Sequence, residues 1–439
     1  MLLLSETLVS TLKMKNNYGS VRTLLMMAVV AFFAAGNVFG QDAAPTAEEA
    51  LAAGNNAWML TSTALVLFMT IPGLALFYGG LVRERNVLSV LMHCFALTCI
   101  LSITWLVLGF SLSVGADGGW TGGFKNIMHK GVGPEGILGS AFQMTFFIIT
   151  PALIVGTFVE RIKYSALLIF SVVWALVCYA PICHITWFGG WFAQMGVVDL
   201  AGGIVVHITA GVAALVACIM VGKRNSPKPP HNLPMTVTGT AMLWVGWFGF
   251  NAGSQGGASD AAAMTLFVTH ISAATGALTW SLIEYFTIKK PSVLGIVTGA
   301  IAGLAAITPA SGVAGPTGAL IIGAVSGAVC WWASVKLKNL LGYDDSLDVV
   351  GVHGVGGVIG TVLAAVVGTA AFGGFGDFTM GAQLGKQLLA AGVTAVYTAV
   401  VTFIILFIIK KTIGLRVDEQ DELVGLDQSS HGESAYSSN

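Results

Sequence analysis

Eleven apolar stretches of spanning length follow one another after residue 50, and the basic residues between them fall on alternate loops. The stretches run over about 57–79, 88–112, 139–159, 164–184, 200–221, 234–253, 262–286, 293–309, 315–336, 349–372 and 384–409. A bilayer core calls for about 20 apolar residues per helix, and it forces every backbone hydrogen bond to close inside the protein. One set of loops carries Arg83, Arg85, Arg161, Lys163, Lys223, Arg224, Lys228, Lys289, Lys290, Lys336, Lys338, Lys410, Lys411 and Arg416. The other set carries only Lys125, Lys130 and Lys386. A missed or extra helix would scramble that alternation. The positive-inside rule then places the mature N-terminus outside and the C-terminus inside.

Composition agrees. The 439 residues are 55% hydrophobic and 9% charged, where soluble domains carry roughly 25% charged residues. The net charge of −1 implies no nucleic-acid partner. The six cysteines lie in or beside apolar segments without metal-ligand spacing, and no cofactor motif is present. At the N-terminus, Lys13, Lys15 and Arg22 precede the apolar run LLMMAVVAFFAAG and then QDAAPTAEEA. This pattern fits a secretory signal peptide over residues 1–40, with an uncleaved first helix as the alternative and Met14 as an alternative start. The expected organisation is a leader over 1–40, an eleven-helix domain over 41–412 and a polar, acidic C-terminal tail over 413–439. That tail reads either as a solvated end or as a docking segment for a cytoplasmic partner.

Two histidines stand inside apolar segments: His207 in VDLAGGIVVHITAGVAALV and His353 in DVVGVHGVGGVIG. An imidazole at bilayer depth is costly and tends to face a pathway. Each has an aspartate shortly upstream, Asp199 and Asp348, and a cluster of glycines around it. Helices five and ten would enter from opposite faces, so both histidines reach the midplane, as in an inverted 5+5 repeat plus one helix. Small residues permit close helix approach, which would bring the two rings together. A neutral pair can line a narrow channel or relay a proton. Asp199 suits a helix N-terminus and could also lend negative potential to an outer vestibule.

Phe142, Phe146 and Phe147, then Trp187, then Trp247 and Phe250 followed by Ser254, all fall toward the outer ends of helices. They suit either an interfacial aromatic belt or a cage for an ammonium-type cation. Spacing alone leaves both readings open.

The stretches TFFIITPALIVGTFVERIKYSA, YAPICHITWFGGW, VDLAGGIVVHITAGVAALV, MLWVGWFGFNAGS, GALIIGAVSG and DVVGVHGVGGVIG, with the tail GLRVDEQDELVGLDQSSHGESAY, resemble the ammonium transporters, the Amt branch of the Amt/Mep/Rh family. The resemblance runs from about Trp58 to Tyr436. It implies an all-α, multi-pass protein of the bacterial plasma membrane that takes up ammonium, and a homotrimer with one pore per subunit. It also implies methylammonium as an analogue and a possible PII-type (GlnK-like) regulator on the cytoplasmic face. By the same resemblance Trp187, Phe146, Ser254 and Asp199 would form an outer recruitment site. Phe146 and Phe250 would form a phenyl gate, and His207, His353 and Trp247 would line the pore. Met144 and the pair Thr269–His270 depart from the family's usual pattern, and His270 inherits no role. An ammonium sensor is the rival reading; the quoted tail resembles no signalling domain. A membrane enzyme is disfavoured by the lack of a phosphate loop or nucleophile elbow.

Overall fold

The computed structural model describes residues 46–116 and 119–436, so the leader assigned to residues 1–40 lies outside the described residues. Helices cover each of the eleven apolar stretches that follow residue 50. They are α1 (Ala47–Leu81), α2 (Glu84–Val114), α3 (Pro134–Phe158), α4 (Tyr164–Met195), α5 (Gly203–Val221), α6 (Leu233–Gly253), α7 (Asp260–Ile288), α8 (Val293–Ile307), α9 (Pro316–Leu341), α10 (Val350–Val367) and α11 (Met380–Thr412). Two short helices follow, α12 (Glu419–Val424) and α13 (Leu426–His431). Among the described residues there is no strand, only one isolated bridge between Ile162 and Arg416.

Nine of these helices are long and apolar enough to cross a membrane; α6 and α8 are not among them. The reason is local. Helix α8 has 15 residues, or about 22 Å of rise, short of a bilayer core of about 30 Å. Gly299 through Ile307 are buried, so protein rather than lipid surrounds that part of α8. Helix α6 interleaves Thr236, Gly239, Thr240, Gly246 and Gly249 with its apolar residues. Gly239 and Gly249 face the α1 backbone closely enough that a Cβ would overlap it.

Starts and stops follow ordinary rules. Pro134 and Pro316 occupy the first helical positions of α3 and α9, where no amide hydrogen is missed. Asn232, Ser259 and Ser292 accept from the amides of Met235, Ala262 and Gly295 to cap α6, α7 and α8. Inside α4 and α9 the helix widens by one residue per turn at Ala175–Tyr179 and Ala333–Leu337. Helices α5 and α10 each open on such a wide turn, Gly203–Ile208 and Val350–Gly354. Wide turns of this kind concentrate at functional sites, and these two carry His207 and His353.

The tail folds into two short helices that are largely exposed but anchored at a few buried residues. Glu422, Leu426 and Asp427 are buried. Glu422 accepts from Arg416, 2.6 Å, and from the amide of Asn225, 2.8 Å. Arg83 donates to the Glu422 carbonyl, and Asp427 accepts from the Ser89 amide. The same face holds the α3–α4 and α9–α10 loops, where Glu160 takes Arg83 and Arg224, and Asp344 takes Arg224 at 2.7 Å. We call this the tail face.

Candidate functional site: a path past two histidines

Helices α5 and α10 cross where neither has a side chain. A Cβ on Gly211 would overlap the backbone of Gly354, and a Cβ on Gly357 would stand 2.8 Å from the Cβ of His207. This approach brings the histidine rings together, with Nδ1 to Nδ1 at 3.2 Å and the planes 26° apart. Two Nδ1 atoms at that distance cannot both carry a hydrogen; one donates and the other accepts. The pair is therefore not doubly charged. Its Nε2 atoms lead away from one another, one a donor and the other an acceptor, and the Nε2 of His207 has no partner among the described residues.

The head of α5 is fixed by Asp199. Its Oδ1 accepts from the amides of Gly202 and Gly203, and its Oδ2 from Ile204 and Val205, at 2.6–3.2 Å. Gly202, at φ +112°, makes the turn that aims these amides at one carboxylate. Burial pushes the Asp199 carboxyl up to about 6, against the pull of those four donors. The Asp199 carboxylate thus serves as a cap for the α5 amides.

The counterpart on α10 is not Asp348, as the sequence suggested. Asp345 accepts from the amide of Val350 at 2.7 Å, and burial together with the neighbouring Asp348 pushes its carboxyl up to about 6. Asp348 instead pairs with Lys338 at 2.5 Å. The signal was available in the spacing: Asp199 precedes His207 by the same interval as Asp345 precedes His353. Proximity to the histidine was the wrong criterion, because a cap must sit one turn outside the helix it serves.

At the end of the bundle opposite the tail face lies a cavity of about 470 Å³, with Phe110, Ser140, Phe142, Gln143, Trp187 and Ser254 in its wall. Behind the wall residues Phe142 and Trp187, Phe146 stacks on Phe250 at 4.3 Å and 25°, both rings fully buried. Trp187 meets Phe146 edge-on at 5.9 Å, its indole N–H donating to the Asp199 carbonyl at 2.7 Å. Ser254 donates its hydroxyl hydrogen to the Phe250 carbonyl, leaving its lone pairs free to accept. Beyond the phenyl pair is a void of about 10 Å³ lined by His207, Trp247, Phe250, Leu243, Ile301 and His353. That is the space of about one water-sized molecule. Trp247 stacks on His207 at 5.5 Å and donates to Thr308. A second cavity of about 160 Å³ then opens toward the tail face, lined by His353, Asp348, Arg224 and Lys228 among others.

The structure thus brings together the sequence-selected Trp187, Phe146, Phe250, Ser254, Trp247, His207 and His353, with Asp199 behind them. Ser140, Gln143, Thr308 and Asp345 were missed; small polar residues in apolar helices give no distinctive pattern. Met144 is half-buried and is not among the residues lining these cavities. His270 is exposed beside Trp244 and Phe248, away from the path.

The profile described as Ammonium Transporter Family matches residues 57–436. The chain belongs to that family. It is 44% identical over 400 residues to an ammonium transporter of Bacillus subtilis (strain 168), covering 87% of this chain and 98% of that one. It is 42% identical over 401 residues to one of Aquifex aeolicus (strain VF5), covering 89% and 95%. Among solved structures it resembles one titled "Sensor Amt Protein", with TM-score 0.83, 27% identity, and 88% and 100% coverage. It also resembles Mep2 of Saccharomyces cerevisiae, with TM-score 0.77, 32% identity, and 84% and 88% coverage. The family is one of transporters rather than enzymes, and this transporter is an all-helical, multi-pass one.

Proposed function

We propose that the transporter takes ammonium up across the bacterial plasma membrane by recruiting the cation in the 470 Å³ vestibule and passing ammonia along the two histidines. In this reading all eleven long helices span the membrane, as five plus five plus one. The recruiting vestibule faces outward, and the basic loops and tail face the cytoplasm. The repeat is supported by the wide turns that open α5 and α10, each carrying a histidine eight residues after an aspartate. Family resemblance adds a homotrimer and a PII-type regulator at the tail face.

The mechanism follows from charge and size. Aromatic faces of Trp187 and Phe146 attract an ammonium cation, and Ser254 accepts a hydrogen bond from it. The void beyond the phenyl pair, about 10 Å³, has no room for a hydration shell. Ammonium must give up a proton near Phe146 and Phe250 to continue. Sodium and potassium have none to give and meet no oxygen cage to replace their water. Ammonia then passes His207 and His353, where the acceptor and donor nitrogens of the pair offer it hydrogen bonds. A hydrogen already bridges the two Nδ1 atoms, so the pair can also hand a proton onward. Moving that charge with the ammonia is worth about 2.3 kcal/mol per 100 mV.

The observation that carries this reading is the succession of three spaces, the aromatic vestibule, the void beyond the stacked phenyl rings and the tail-face cavity, with the phenyl pair closing the way between the first two and His353 lining both of the last two. Its test is uptake of labelled methylammonium in proteoliposomes, with and without an imposed potential. His207→Ala and His353→Ala are expected to lower flux or ammonium selectivity. Unchanged flux and selectivity in both would remove the histidines from the path. Binding without any uptake would favour a sensor.

A further inference from the structure

The loop between α2 and α3 carries a histidine that neither the pore nor the family assignment uses. His129 lies with Met128 in a left-handed backbone conformation, φ 55° at each, which costs a side-chain-bearing residue energy and often marks a functional constraint. Its ring stacks on Phe110 with centroids 4.4 Å apart. Its Nε2 is 2.6 Å from the Ser140 hydroxyl, and its Nδ1 is 3.3 Å from the Leu106 carbonyl.

The hydrogens can be placed by elimination. A carbonyl only accepts, so Nδ1 carries the hydrogen. In the neutral imidazole Nε2 is then the acceptor and takes the Ser140 hydroxyl hydrogen. Ser140 in turn accepts the indole N–H of Trp105 at 3.0 Å. The chain from Trp105 through Ser140 and His129 to Leu106 runs in one direction and uses a neutral imidazole. Both of its side-chain partners at the wall, Phe110 and Ser140, are buried and line the recruiting vestibule.

We infer that His129 is a positioning residue for ammonium recruitment, holding Phe110 and Ser140 as one wall of the outer vestibule. The inference rests on the vestibule reading above. It places the ring behind the wall rather than against the cation, so it acts on capture and not on passage through the phenyl gate.

The test compares KM with Vmax for methylammonium uptake in proteoliposomes. His129→Ala is expected to raise KM about threefold to tenfold with Vmax per folded protein within twofold. His129→Gln keeps an acceptor for Ser140 and a donor for Leu106, and is expected to recover most of the KM. Ser140→Ala is expected to raise KM similarly, and the double variant to add little. Trp187→Leu runs alongside as the test of the vestibule itself: an unmoved KM there would remove the vestibule reading. A raised KM in Trp187→Leu with unmoved KM in His129→Ala and Ser140→Ala would overturn the role of His129. So would a fall in Vmax alone that the Gln variant does not recover. If His129→Ala fails to fold, Ser140→Ala and His129→Phe, which keeps the stack but loses both bonds, decide the matter by the same readout.

Discussion

The heads of α5 and α10 look alike in sequence and differ in how they are held. Both open on a wide turn, carry a histidine there, and have an aspartate at the same distance upstream. Asp199 gathers four backbone amides. Asp345 gathers one, and its surroundings include the Asp348–Lys338 pair. The glycines at the crossing differ too. A Cβ on Gly211 would overlap Gly354, whereas a Cβ on Gly354 would find Gly211 no nearer than 3.2 Å. The α5 head is tied by four amides and the α10 head by one, in a charged neighbourhood; at the crossing a methyl has room on Gly354 but not on Gly211, while Gly351, Gly357 and Gly360 of α10 are packed tightly against other neighbours. A near-symmetric pair of rings is thus set on two helix heads, the α5 head rigid through its four amide bonds and the α10 head the more adjustable for having one.

The sharpest way to break that comparison is at the glycines. Gly211→Ala drives a methyl into the backbone of α10, where neither side can yield as a side chain would, and overpacking of this kind costs about 1–3 kcal/mol or more. It is expected to separate the histidines and abolish methylammonium uptake, with a lowered unfolding temperature. Gly354→Ala asks its neighbour to move only a few tenths of an ångström and is expected to keep most of the flux. Equal losses in the two would show that the crossing is not lopsided.

Much of this was legible in the chain. Hydropathy and loop charge marked every long helix, because a bilayer leaves few alternatives for an apolar run. The two histidines stood out because ionisable groups are scarce in such segments, and their glycines announced a close crossing. What could not be read was convergence. Phe146 and Phe250 lie on helices far apart in sequence, and only packing of α3 against the end of α6 stacks them at 4.3 Å. Asp348 misled because it is nearer to His353 in the chain; its side chain turns to Lys338, while Asp345 reaches the helix head. The polar tail read either as a solvated end or as a docking segment; two of its acidic residues are anchored, Glu422 by Arg416 and the Asn225 amide and Asp427 by the Ser89 amide.

The aspartates come next in size. Removing a helix cap costs about 1 kcal/mol and up to about 2, and the Asp199→Ala change strands four amides at once. Loss of uptake by tenfold or more is expected, at roughly 1.4 kcal/mol per decade. Asp345→Ala strands one amide and is expected to lose a fewfold. The measurement is initial uptake per folded protein. A larger loss at Asp345 than at Asp199 would reverse the assignment of rigid and adjustable sides.

The smallest effect expected is one of pH, and it separates the two aspartates without touching either. Both carboxyls sit at about 6, but for different reasons. Asp199 is lifted by burial and held down by its four amides, none of which titrates. Asp345 is lifted by burial and by Asp348, and is held down first by the Lys338 cation, then by the amide of Val350. Lys338→Met removes that cation, so the Asp345 carboxyl rises above 6 and takes up a proton nearer neutrality. A protonated carboxyl is a poorer acceptor for the Val350 amide, and the head of α10 loosens. In wild type, flux should hold as the pH on the tail side falls toward about 6 and decline below it. In Lys338→Met the decline should begin closer to neutral pH, with little change at alkaline pH where Asp345 stays ionised. Superimposable pH profiles would mean that the Asp348–Lys338 pair does not reach the α10 head, and the contrast between the two supports would then rest on the count of amides and on the glycine crossing.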